Sequence, residues 1–103
     1  AEIIAAIRRD EIKHYELLNR LYYSIAGTYP QELPAIPFAQ PLSYCAGLRS
    51  GLFEEQTEVV GYRDMLAGLD NREHLNIVTE ILTDEYRHQG LFLNLYAKND
   101  CRV

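Results

Sequence analysis

The chain has 103 residues, 48% of them hydrophobic and 24% charged, with a net charge of −5. This suits one packed domain and excludes a largely disordered chain. The few basic residues are scattered, with only Arg8 and Arg9 adjacent, which disfavours a nucleic-acid or anionic-membrane surface. No apolar run approaches the ~20 residues of a membrane span, and no leader pattern is visible.

The first helix is expected over residues 1–26. Ile4, Ile7, Leu18, Leu21 and Ile25 share one face, and Gly27 stops it. The segment "GTYPQELPAIPFAQP", residues 27–41, holds all four prolines and cannot continue a helix. It is long for a simple turn between helices and reads as a crossover from one end of a bundle to the other. A second helix is expected over 42–66, stopped by Gly68. Asp70, three residues before Glu73, predicts a capping box for a third helix over 71–97. The tail "KNDCRV" reads as frayed. Cys45 and Cys101 form no CxxC pair and make a poor disulfide framework, so two reduced thiols in a cytoplasmic protein are expected. Gly47, Gly51 and Gly90 read as points of close helix approach.

Steps of three and four give each helix a core stripe. The first is Ile4, Ile7, Glu11, His14, Leu18, Leu21, Ile25. The second is Cys45, Leu48, Leu52, Glu55, Val59, Tyr62, Leu66. The third is Val78, Ile81, Glu85, His88, Phe92, Leu95. Every stripe is apolar except in its middle, where it carries a glutamate, and two carry a histidine three residues later. An unpaired buried carboxylate is costly, and three at one level should be neutralised together, as bound dications would do.

The spacing suits that chemistry. In Glu-x-x-His the two side chains lie about 60° apart around the helix axis and about 4.5 Å apart along it, so both reach one point. "EIKH" and "EYRH" give two such pairs. In the second helix Glu55 is in register with the seam, Glu58 lies one turn on at its flank, and Glu54 reads as solvated. Carboxylate with imidazole suits iron or manganese, with zinc as a further fit. The candidate ligands are therefore Glu11, His14, Glu55, Glu58, Glu85 and His88. Tyr62 is a packing aromatic whose hydroxyl could hydrogen-bond a ligating carboxylate.

These motifs resemble the ferritin-like di-iron carboxylate proteins, especially the rubrerythrin-like branch. That family builds a four-helix bundle with glutamates on helices A and C and Glu-x-x-His on helices B and D. "EIKH" is similar to helix B, "EEQTEVVGY" to helix C and "DEYRH" to helix D, with Tyr62 seven residues after Glu55. The resemblance implies a single all-α ferritin-like domain over 1–103 and two iron ions, with manganese as the alternative. Glu11 and Glu85 would bridge, His14 and His88 would each cap one ion, and Glu55 would be terminal. It further implies handling of iron, peroxide or dioxygen, and assembly as a homo-oligomer. Nothing in the chain stands for helix A and its glutamate. A preceding segment, a neighbouring chain, or an incomplete site would each account for that, and the start at Ala1 rather than Met favours the first. The alternative reading is a non-catalytic, metal-stabilised helical assembly module. A membrane-bound hydroxylase is disfavoured by the lack of a long apolar or basic amphipathic face.

Overall fold

The computed structural model describes residues 2–32 and 39–102. They form three helices, α1 (Glu2–Ala26), α2 (Tyr44–Ala67) and α3 (Arg72–Lys98), with no strand among the described residues. The all-helical reading holds. The middle of the expected crossover, 33–38, lies outside the described residues. No helix among the described residues is long and apolar enough to cross a membrane.

Local chemistry sets the helix ends. Gly27 closes α1 in the left-handed region at φ 78°, and its N–H donates to the Tyr23 carbonyl at 2.8 Å. The start of α2 falls at Tyr44 rather than Leu42, because the Ser43 hydroxyl accepts from the Ala46 N–H at 3.1 Å and fixes the first turn there. The cap of α3 is Asn71, not Asp70. Its side-chain oxygen accepts from the His74 N–H at 3.1 Å. The Leu69 N–H reaches back to Leu66 at 3.2 Å, which keeps Asp70 in the linker and moves the cap one residue on.

This short linker makes α2 and α3 an antiparallel pair. α1 packs on α3 and makes no close backbone approach to α2. The contacts Asp10–His88, His14–Asp84 and Ser24–His74 run in opposite senses along the two chains, so α1 is antiparallel to α3 and parallel to α2. Towards one end, Leu21, Ile77, Val78 and Ile81 form a core cluster, with Leu17, Leu18, Tyr62, Leu66 and Leu69 against it. Near the other end Gly51 lets the Phe92 ring lie against α2, where an added Cβ would come within 2.7 Å of it. Gly47 instead faces Pro41, and Gly90 has no neighbour that a Cβ would meet, so neither serves a helix–helix approach. Ile25, expected in the seam, is 61% exposed because the last turn of α1 runs past the buried cluster, which takes Leu21 as its last residue from this helix.

The cysteine expectation is overturned. Cys45 and Cys101 are joined by a disulfide, with their Cα atoms 5.5 Å apart. The tail is not simply frayed. Asp100 takes a left-handed turn at φ 57° and the Cys101 N–H donates to the Tyr96 carbonyl at 3.0 Å. The chain thus folds back and presents Cys101 to the first turn of α2. The bridge closes a loop of 56 residues. Reduction or Cys101→Ser should lower unfolding free energy by about 2–4 kcal/mol in chemical denaturation, and equal midpoints with and without reductant would contradict a stabilising role.

Candidate metal centre

The three polar interruptions of the seams meet in space. Four donor atoms, one each from Glu11, Glu55, Glu85 and His88, lie within 4.8 Å of one another. Glu85 and His88 are wholly buried, at 0% exposure, and Glu55 is 6% exposed. His14 stands beside this group, with Nδ1 3.0 Å from Glu85 Oε1. His88 Nδ1 lies 3.3 Å from Glu11 Oε1 and 3.6 Å from Glu55 Oε2. None of these approaches is aligned as a hydrogen bond. Glu11 Oε1, His14 Nδ1, Glu55 Oε2, both Glu85 oxygens and His88 Nδ1 are buried atoms without a hydrogen-bond partner. Such atoms are rare, and six converging on one spot call for a cation. Nitrogen and oxygen ligands sit about 2.0–2.2 Å from a transition-metal ion, so donors around one ion are up to roughly 4.4 Å apart. The spacing of this group is close to that limit.

Two residues that sequence reasoning passed over hold the imidazoles. Asp84 Oδ2 lies 2.8 Å from His14 Nε2, and Asp10 Oδ2 lies 2.8 Å from His88 Nε2. An ionised carboxylate only accepts, so each Nε2–H donates to its aspartate, and a neutral ring then turns the Nδ1 lone pair to the carboxylates. The arrangement is reciprocal: each aspartate precedes the glutamate on one helix and holds the histidine of the other. Lys13 donates to Asp84 at 2.8 Å, and Arg87 donates to Asp10. The signal was in the sequence as a doubled five-residue pattern, "DEIKH" and "DEYRH", sharing Asp, Glu, a basic residue and His in the same places.

Charge follows this geometry. Burial opposes ionisation of Asp84, but its hydrogen bonds from Lys13, His14 and Arg87 outweigh that and hold its pKa well below the usual range. Burial likewise opposes ionisation of Asp10, and its contacts with His88 and Arg87 leave its pKa lowered. Glu11 goes the other way: burial and the Glu85 charge raise its pKa. Burial would lower the pKa of His14, but Glu85 and Asp84 together raise it. Glu58 is half-buried at the flank, outside the four-donor group, its pKa raised by burial and by the Glu11 and Glu54 charges. Tyr62 packs in the core cluster, its hydroxyl pKa raised by burial and by Glu58 and Glu11.

An open groove of about 1220 Å³ runs between α1 and the first half of α2, lined in part by Arg8, Glu11, Gly51 and Phe92. It reaches the centre at Glu11, whose side chain is 40% exposed.

Two predictions follow from the geometry and its charges. Asp10→Ala or Asp84→Ala should each weaken Co(II) or Zn(II) binding by about 10- to 100-fold in a direct titration, because a freed imidazole must be reordered on binding; unchanged affinity would deny the aspartates this role. The second concerns pH. Glu11 and Glu58 have pKa values raised above 4.5, and His14 has one raised above 6.5, so folded protein holds more protons than unfolded there. Their stabilisation is complete below those ordinary values and is lost as pH rises through the raised ones. Asp10 and Asp84 contribute above 3.8 and lose their contribution as pH falls through their lowered values. In chelator the Tm should therefore fall as pH rises from about 4.5 to 8, and a Tm rising across that range would contradict the charge assignment.

Comparison with protein-family models, with curated proteins and with solved structures finds no match to this chain.

Proposed function

We propose that the protein is a ferritin-like di-metal carboxylate protein of the rubrerythrin-like kind, binding two iron ions, or manganese, and acting on peroxide, dioxygen or ferrous iron. The observation that carries this reading is the set of orphaned buried donor atoms: carboxylate oxygens of Glu11, Glu55 and Glu85 and the Nδ1 atoms of His14 and His88, none with a hydrogen-bond partner. Charge supports two ions rather than one. Lys13 and Arg87 offset Asp84 and Asp10, which leaves Glu11, Glu55, Glu85 and the flanking Glu58 as four carboxylates, balanced by two dications.

Bound iron would supply the redox chemistry toward peroxide or dioxygen. The chain supplies the rest. Glu11 and Glu85, on facing helices, are placed to be shared between ions, while Glu55 and Glu58 bind from α2. Asp84 and Asp10 fix the His14 and His88 rings and keep the Nε2 protons away from the centre. Val59 and Ile81, one helical turn from Glu55 and Glu85, are themselves buried, whereas the groove at Glu11 would give a small oxidant access. The same proposal includes a fourth helix, from a preceding segment or a second copy in a homo-oligomer. Such a helix would bring one more carboxylate. A cytoplasmic location belongs to the proposal on sequence grounds, and the Cys45–Cys101 bridge counts against it.

A second reading, a metal-stabilised helical module without turnover, has one observation in its favour. Glu55 sits in the middle of the buried face of α2, and Glu85 and His88 in that of α3, so a redox-inert ion would satisfy these packing residues as well. One experiment separates the two. Protein loaded anaerobically with Fe(II) is mixed with hydrogen peroxide. The enzyme reading expects peroxide to be consumed in proportion to protein, with Fe(II) oxidised, and expects Glu55→Ala to abolish this. If Zn(II) raises the Tm as much as Fe(II) and the iron-loaded protein consumes no peroxide beyond free iron, the module reading replaces it.

A further inference from the structure

We propose that the Cys45–Cys101 bridge is a thiol–disulfide exchange site, opened by small anionic thiols from a pocket of its own. The proposal goes beyond the metal reading and does not depend on it. Cys45 precedes Glu55 on α2 by about 15 Å along the helix axis, so the two sites are separate. A pocket of about 440 Å³ lies beside the bridge, with Cys45, Arg49, Phe53 and Arg102 among its lining residues. Both cysteines are only half-buried, so the bridge borders solvent rather than core.

Its surroundings are positive. Cys45 lies in the first turn of α2, whose unpaired N–H groups carry the positive end of the helix dipole. Arg49 stands one turn further on the same face. Its guanidinium sits 5.5 Å from the centre of the Phe53 ring, a contact that holds it at the pocket. Arg102 directly follows Cys101, and Asp100 is the one carboxylate adjoining either cysteine in sequence. Among the described residues neither arginine forms an ion pair. A thiolate is the nucleophile of exchange, and a thiolate must also leave. Positive surroundings draw in the first and stabilise the second.

Exchange takes two steps. A thiolate in the pocket attacks Cys45 Sγ and bonds to it. The Cys45–Cys101 bond breaks, and the Cys101 sulfur departs with the electron pair, beside Arg102. A second thiolate attacks the outer sulfur of the mixed disulfide, which forms the small disulfide and releases the Cys45 thiolate at the start of α2. Two small thiols are oxidised, the bridge is reduced by two electrons, and their protons pass through water to the two protein sulfurs. The tail then loses its covalent tie to α2.

The test uses the whole oxidised chain and three small thiols: mercaptoethanesulfonate, 2-mercaptoethanol and cysteamine, which are anionic, neutral and cationic. Reduction is followed by acid quench and mass spectrometry. Each rate, per thiolate, is divided by that for an uncharged small disulfide. The chain's net charge of −5 would by itself favour cysteamine. The pocket predicts the reverse, with the anionic thiol ahead of the cationic one by about tenfold at low salt. That lead should close at about 1 M salt and shrink in both Arg49→Gln and Arg102→Gln. The wild-type comparison needs no variant to fold. Early adducts of the anionic thiol should lie on Cys45. Equal or reversed preference, rates independent of thiol concentration as when unfolding limits access, or adducts on Cys101 would each overturn the proposal.

Discussion

The structure depends on one costly layer: carboxylates and imidazoles facing each other, largely buried, halfway along three helices. Glu85 and His88 are wholly buried between the apolar residues Ile81 and Leu95 of the same α3 face. In hydrocarbon surroundings such groups must be neutralised or the layer opens. Burial and neighbouring carboxylates raise the pKa values of Glu11 and Glu58, and Glu85 and Asp84 raise that of His14 against its burial, so protons are held at the edge of the layer. In the proposed metal-bound state a dication would displace those protons and use the same atoms, which would couple folding, proton binding and metal binding.

The same layer sets the register of α1 against α3. Each helix carries Asp, Glu, a basic residue and His in the same order, and each aspartate holds the other helix's histidine at 2.8 Å. Sliding one helix by a turn would break both contacts together and separate Glu11 from Glu85 and His88. Ser24 and His74, 2.8 Å apart, repeat the register further along the pair. Asp10 and Asp84, which orient the two imidazoles, thus also fix the packing of α1 on α3. Towards one end the core cluster around Ile81 holds the three helices together, and at the other the Cys45–Cys101 bridge ties the return of the tail to α2.

The sequence made the three helices and the polar middle of each seam legible, because period and spacing are properties of one helix at a time. Glu11, Glu55, Glu85 and His88 were found that way and stand together. Asp10 and Asp84 were not found, since each lies about 100° round the helix from its glutamate and looks like a solvated residue until the facing helix is present. Lys13 and Arg87 were hidden for the same reason. The disulfide depended on a left-handed turn at Asp100 that no spacing rule anticipates. Asn71 displaced Asp70 as the cap because turn hydrogen bonds after Gly68 decide where α3 begins. Ile25 followed the seam period but outran the part of α1 that is covered.

The central claim is that this layer is a metal centre, and the local structure around a bound ion tests it most directly. X-ray absorption at the metal edge, on protein given one equivalent of Zn(II), reports the ligands themselves. The account predicts a shell of nitrogen and oxygen only, with the outer scattering of a single imidazole and a shell lost in Glu85→Ala. A shell of water oxygens without imidazole, or one unchanged by that substitution, would contradict it.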